Sequence, residues 1–232
     1  MKSGKKNVCY ILTPQPHRLM LKVYVNDHLD AFDLDEALAK MSPQRHDYLL
    51  RFRHERSQRA GAAAYMLLCQ GLRELYGITE PPVFAFGEHG KPFLAERPDI
   101  YFSLSHCREA AACAVSDSPV GIDVESLRSF SPSLLSRTMS AEESEVINTD
   151  DDPRRAFIRL WTQKEAYLKL TGTGLVDELP TVLTDAAALG YIFDVRESDN
   201  AKYILSVCHL GPENTTINIL SVCHLGPKKH ND

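Results

Sequence analysis

Between Leu19 and Val25 the chain is mostly apolar, and Asn26-Asp27 closes the run, which predicts a strand. A different rhythm begins at Ser42-Pro43, where serine as N-cap and proline in the first turn open a helix. The tract is predicted to run to about Tyr76, where Gly77 stops it. Its first half is basic (Arg45, Arg51, Arg53, Arg56, Arg59), while Ala62, Tyr65, Met66, Cys69, Leu72 and Tyr76 form a helical stripe that reads as core.

Short strands follow. Val83 to Phe86 leads into the turn Glu88-His89-Gly90-Lys91-Pro92, and Ile100 to Ser105 with Ala110 to Val115 reads as a hairpin across Cys107-Arg108-Glu109. Pro119 bounds the next strand, Val120 to Glu125. Ser140 caps a helix through Ile147, and Glu143 completes a capping box. Asp150 to Pro153 opens another helix, which ends near Thr171-Gly172. Two last strands are expected around Tyr191 to Val195 and Tyr203 to Cys208.

The tail holds a verbatim duplication, Ile204 to Pro212 recurring as Ile219 to Pro227, both ILSVCHLGP. One such offset is too little for a repeat architecture. It reads as a local duplication or an artefact of the sequence, with one copy supplying a strand and the other surplus.

The order of elements indicates an α/β (α+β) protein, and 232 residues are enough for one large or two small domains. A net charge of −5 argues against a general nucleic-acid binder, so any anion site must be a local basic patch. The apolar run after the basic N-terminus is too short for a signal peptide, and nothing approaches the roughly 18 apolar residues of a membrane span. Six cysteines without a CxxC pair read as reduced thiols, and a cytoplasmic location is expected.

The chemistry gathers in two segments. Asp123 and Glu125 are two apart on a strand and share a face, where their repulsion calls for a positive neutraliser. A divalent cation such as Mg²⁺ fits, with Mn²⁺ as the alternative, and a solvated strand face is the plainer reading. Trp161, Glu165 and Lys169 form one helical stripe, in which Glu165 and Lys169 read either as a surface pair or as a third ligand and a phosphate-facing cation. Ser105-His106 ends a strand; without a nucleophile elbow around it, a phosphate-binding pair is the simpler reading. Lys91 after Gly90 reads equally as an anion-binding or a solvated lysine.

Taken in order, Gly90-Lys91-Pro92, Phe102-Ser103-Leu104-Ser105-His106, Gly121-Ile122-Asp123-Val124-Glu125, and Trp161 to Lys169 with Gly172-Thr173-Gly174-Leu175 resemble the 4′-phosphopantetheinyl transferases. The likeness is to their larger, monomeric Sfp-like branch and spans roughly Ser42 to Cys208. It implies two similar α/β halves related by pseudo-twofold symmetry, at 1–117 and 118–212, followed by a tail at 213–232. Coenzyme A would lie between the halves and donate phosphopantetheine to a serine of an apo acyl or peptidyl carrier protein. The resemblance makes Asp123, Glu125 and Glu165 the metal ligands and Lys169 the lysine that assists the departing phosphate. Arg45, Arg59, Lys91, Ser105 and His106 fall where the family binds the nucleotide and its 3′-phosphate. Ser103 and Cys107 depart from the family's usual Asn and Ser. Glu165, directly or through a water, is the first candidate base, and Glu143, with its capping role, the second. Two other readings stand beside the transferase: a silent module that binds coenzyme A or a carrier, and a magnesium-dependent phosphohydrolase.

Overall fold

The computed structural model describes residues 19–174 and 178–211, and the backbone of 218–221. The N-terminal basic segment, Cys9, Leu175, Cys223 and most of the tail lie outside the described residues.

Among the described residues, seven α-helices and nine strands are arranged as two largely antiparallel sheets in the core, a small ribbon, and one long helix on each sheet. In chain order the first half supplies β1 (Leu21–Asn26), α1 (Leu34–Ala39), α2 (Pro43–Leu49), α3 (Glu55–Tyr76), β2 (Phe84–Phe86), β3 (Pro92–Leu94), β4 (Tyr101–His106) and β5 (Ala111–Ser116). The second half supplies β6 (Val120–Ser126), α4 (Pro132–Thr138), α5 (Ala141–Thr149), α6 (Pro153–Thr171), α7 (Val182–Ala188), β7 (Ile192–Glu197), β8 (Tyr203–His209) and β9 (Asn218–Ser221). One sheet has the order β4-β5-β1-β9, the other β6-β8-β7, and β2 and β3 form the ribbon.

Side-chain alternation decides what each sheet touches. In β1 and β5, Tyr24, Ala111, Cys113 and Val115 pack against α3, while Val23, Val25, Ala112 and Ala114 point the other way. That second set meets Val120, Ile122 and Val124 of β6 and Leu205 and Val207 of β8. The far face of β8, through Ile204 and Cys208, packs on α6 and its neighbours. The layers therefore run helix, sheet, sheet, helix, with α3 and α6 outermost.

The ends of α6 arise from its sequence. Asp152 accepts from Arg154 N–H and Arg155 N–H, Pro153 occupies the first turn, and Gly172 ends the helix with φ +73°. At its middle the helix lies backbone to backbone on β6. A Cβ on Gly121 would stand 1.9 Å from the Ala166 carbonyl oxygen and 2.7 Å from Leu170 N, so only glycine allows this approach. The Ser140–Glu143 capping box is present on both sides, and Glu143 Oε2 also accepts the Lys164 ammonium at 2.8 Å. Lys164 is fully buried on α6 and gives its other two protons to the carbonyls of Leu179 (2.7 Å) and Pro180 (3.4 Å), which ties α5, α6 and the chain after α6 together.

Two expectations need correction. The helical tract from Ser42 to Tyr76 is two helices, broken at residues 50–54. Leu49 and Phe52 both turn toward the core there, Gln58 donates to Phe52 O at 2.8 Å, and His54 in extended conformation starts the second helix. The second tail copy is also not surplus: residues 219–221 pair in parallel with Val23–Val25 of β1, while the first copy forms β8. The short elements α1, β3, α4 and α7 carried no strong periodic signal, and packing selects them.

Replacing Gly121 with Ala is expected to destabilise the fold by about 3 kcal/mol or more, since neither backbone can yield without moving α6. Thermal unfolding followed by circular dichroism measures this; a shift of about 1 °C or less would show that the helix moves aside freely.

Candidate active site

The carboxylates of β6 and the polar stripe of α6 meet at the Gly121 contact. Lys169 Nζ is 2.6 Å from Asp123 Oδ1 and donates to Ser105 Oγ at 2.9 Å, and Ser105 donates to the same Asp123 oxygen at 2.8 Å. Asp123 is only 4% exposed, and its other oxygen, Oδ2, is buried with no hydrogen-bond partner among the described residues. Glu165, one turn before Lys169, is half-buried. Burial first, and then the charges of Asp123 and Glu125, push its carboxyl up to about 7, although Lys169 pulls the other way. Glu125 is raised by burial and by Asp123; Arg128, Lys169 and a hydrogen bond from Trp161 offset part of that. Arg128 approaches Glu125 at 3.6 Å.

The three acids thus feel one another around a single lysine, and the site is short of positive charge. Among the described residues no three His, Cys, Asp or Glu side chains converge closely enough to hold a metal as they stand. The donor set still fits a hard cation: oxygen ligands only, one of them a buried carboxylate oxygen left open, with neighbours whose proton affinity is raised by burial first and then by the adjacent carboxylates.

Two cavities open beside this cluster. One of about 350 Å³ is walled by Glu165, Lys169, Gly172, Ser103 and the Gly90-Lys91-Pro92 turn. The other, about 530 Å³, is lined by Arg45, Tyr48, Arg51, Phe86 and His106, and shares Gly90, Pro92 and Leu104 with the first. Together they form one cleft with a cationic, aromatic end and a carboxylate-and-lysine end. Arg45 is stacked 4.7 Å over Tyr48, its Nε is buried without a partner among the described residues, and burial lowers its pKa. His106 is held neutral more strongly than an ordinary histidine by burial, then by Lys169 and Arg45. An anion in this end would satisfy Arg45 and offset the Lys169 and Arg45 part of the His106 shift, while the larger effect of burial remains.

Of the expected site residues, Asp123, Glu125, Glu165, Lys169, Ser105 and His106 come together, and Arg45 joins His106 across the second cavity. Ser105 faces Asp123 and Lys169 rather than the cationic end. Lys91 lines the first cavity, but its ammonium donates to Leu170 O at 2.6 Å and so completes the C-terminus of α6. Its stem passes the place where a Gly172 side chain would be. Arg59 lines neither cavity; it donates to Phe32 O and pairs with Glu55 at 2.5 Å. Glu143 is occupied by its cap and by Lys164, away from the cleft. Tyr48 and Arg51 are cleft residues that were not among the expected site residues, although Arg51 belongs to the basic run and Tyr48 lies three residues after Arg45 on one helical face.

Residues 119–215 match the family model of the 4′-phosphopantetheinyl transferase superfamily. Similar proteins include a 4′-phosphopantetheinyl transferase of Bacillus subtilis, 30% identical over 157 residues, covering 66% of this chain and 70% of the relative. The 4′-phosphopantetheinyl transferase Sfp of Bacillus subtilis is 27% identical with the same coverage. The L-aminoadipate-semialdehyde dehydrogenase-phosphopantetheinyl transferase of Candida glabrata is 28% identical over 184 residues, 72% of this chain and 69% of that protein.

The raised proton affinity of Glu165 also makes stability depend on pH. Between its ordinary value of 4.5 and about 7 the folded protein keeps a proton that the unfolded chain has released, so stability falls as pH rises through that window. Replacing Glu165 with Gln is expected to stabilise the metal-free protein by about 1 kcal/mol or more at pH 8, with little effect at pH 4. Melting temperatures at the two pH values check it; an equal effect at both would mean that charge is not the cause.

Proposed function

The chain belongs to the 4′-phosphopantetheinyl transferases, and from that membership we propose that it moves 4′-phosphopantetheine from coenzyme A to a serine of an apo acyl or peptidyl carrier protein, releasing adenosine 3′,5′-bisphosphate. The observation that carries the reading is the cleft itself, whose one end suits a phosphate and whose other end suits a pyrophosphate with its metal.

Each residue has a role in that reaction. Arg45 and His106 bind the 3′-phosphate, with Arg51 beside them and Tyr48 holding the guanidinium flat. Asp123, Glu125 and Glu165 hold Mg²⁺ or Mn²⁺, with Asp123 Oδ2 as the oxygen already free to do so. The metal, when bound, neutralises the pyrophosphate oxygens as charge builds on them. Lys169 supplies the second positive charge and faces the phosphate that leaves with the nucleotide. The carrier serine attacks the β-phosphorus, the bond to the bridging oxygen breaks, and the serine proton passes to Glu165 directly or through a water. Burial holds its carboxyl up to about 7 in the metal-free protein, so it takes a proton more readily than an ordinary carboxylate when it is not bound to the metal. Lys91 and Gly172 shape the wall of the first cavity rather than contact the transferred group.

A silent binding module of the same fold would keep the anion-binding end but would not require an open carboxylate oxygen beside a lysine. A phosphohydrolase would release inorganic phosphate from small phosphate esters.

Purified protein incubated with coenzyme A, Mg²⁺ and a panel of apo carriers is expected to add one phosphopantetheine mass to at least one of them. Asp123→Ala is expected to lower the rate by about a hundredfold or more, and tight coenzyme A binding with no turnover on any carrier would favour the silent module instead. Arg45→Leu and His106→Ala are each expected to raise KM for coenzyme A about tenfold and leave kcat near its original value. With 3′-dephospho-coenzyme A the same two variants should differ little from the parent; an undiminished penalty there would place their contact elsewhere on the nucleotide.

A further inference from the structure

The edges of the two sheets meet along β4 and β6, yet no backbone ladder joins those strands. Two serine hydroxyls stand in for it. Ser103 Oγ accepts from Ile122 N–H at 3.1 Å, and Ser105 Oγ accepts from Val124 N–H at 3.2 Å. The two amides flank Asp123 on either side. Toward the backbone the two serines are equivalent, but only Ser105 reaches further.

Its oxygen also accepts from Lys169 Nζ at 2.9 Å. With two N–H donors aimed at it, its own proton has one destination, Asp123 Oδ1 at 2.8 Å. Lys169 bonds that same oxygen at 2.6 Å, so Oδ1 is taken twice while Oδ2, equally buried, has no partner among the described residues. We infer that Ser105 is a positioning residue: its hydroxyl fixes the rotation of the Asp123 carboxylate, holding Oδ1 on the lysine and keeping Oδ2 open for the divalent cation. The identity of that cation site rests on the transferase reading; the orientation of the carboxylate does not. Without the hydroxyl the carboxylate is free to turn, because the terminal torsion of an aspartate is soft, and Lys169 then closes over both oxygens. This differs from the expected role of Ser105 as a nucleotide contact, and the two make opposite kinetic predictions.

Ser103 provides the internal control. Ser103→Ala removes the matching bond across the seam without touching a partner of Asp123, so it reports what loosening of the seam does alone. The full-length protein and its Ser105→Ala, Ser105→Thr and Ser103→Ala variants are titrated with Mn²⁺ alone, followed by electron paramagnetic resonance, and assayed for transfer to an apo carrier. Ser105→Ala is expected to weaken Mn²⁺ binding and lower kcat by about tenfold or more each, as loss of an outer partner of a metal ligand does, with KM for coenzyme A changed by less than about threefold. Ser105→Thr, which keeps the hydroxyl, is expected to recover most of both, and Ser103→Ala to stay within about threefold of the parent in Mn²⁺ affinity.

The proposal is overturned if Ser105→Ala binds Mn²⁺ as the parent does, if Ser103→Ala loses as much as Ser105→Ala, or if the loss is confined to KM for coenzyme A. A parent protein that binds no Mn²⁺ overturns it as well. If Ser105→Ala does not fold, Ser105→Cys, whose thiol is a weak donor, takes its place, with the same loss of Mn²⁺ affinity expected and parent-like binding overturning the proposal. Should the parent transfer nothing to any carrier, the Mn²⁺ comparison still decides the role of Ser105, so failure of the transferase reading is seen separately.

Discussion

The backbone contact at Gly121 is the constraint on which the rest of the site depends. Helix α6 can approach β6 as closely as it does only because residue 121 has no side chain, and that distance fixes which side chains of the two elements can touch. Two residues along the strand is Asp123; on the helix, Glu165 and Lys169 bracket Ala166, whose carbonyl touches the glycine. A helix held farther off by an ordinary side chain would leave the lysine short of the aspartate. The 2.6 Å pair and the cluster around it are therefore consequences of backbone packing, stabilised by the apolar neighbours Ile122, Val124, Ala166 and Leu170.

That packing brings like charges together, which a fold selected for stability alone would avoid. Three carboxylates surround one lysine; burial and then the neighbouring charges hold the Glu165 carboxyl up at about 7, and one oxygen of Asp123 is left without a partner among the described residues. Elsewhere in the same helix the chemistry is the reverse. Lys164 is buried too, but all three of its protons have acceptors and Glu143 balances its charge. The two lysines of α6 differ by five positions and hence by the face they present. One is saturated and structural. The other is held only on the side away from the cleft and remains available on the side that faces it.

Much of this was legible in the sequence because it is local. The capping box of Ser140 and Glu143, the Asp152-Pro153 start of α6, its Gly172 end, and the two-residue spacing of Asp123 and Glu125 are short-range patterns with direct physical causes. The misreadings come from longer range. On one unbroken helix Arg45 and Arg59, fourteen residues or nearly four turns apart, would share a face. The break at residues 50–54 destroys that relation: Arg45 stays at the cleft and Arg59 is engaged by Phe32 and Glu55. No glycine or proline marks the break, since it arises from packing Leu49 and Phe52 at once. Lys91 was ambiguous for a similar reason, because its acceptor is a helix end 79 residues away.

The duplicated tail shows the same division most plainly, since there the local sequence is held constant by nature. Ile204, Leu205 and Ser206 form the middle of an antiparallel sheet between β6 and β7, where Ser206 meets Thr162 at 2.7 Å behind the active-site helix. Ile219, Leu220 and Ser221 have the same residues and also form a strand, but a parallel one at the edge of the other sheet, beside β1. Composition decides that both are strands: β-branched and apolar residues in a short run satisfy the pleat wherever an edge is open. Direction, register and neighbours differ because they are set by the chain on either side. Tyr203 with its hydroxyl on Asp27 precedes the first copy after a tight turn from β7, whereas the second copy comes after a crossing from one sheet to the other. The carboxylates of β6 obey the same rule. Their alternation on β6 is a property of the strand, but what makes them a site is the helix that one glycine admits.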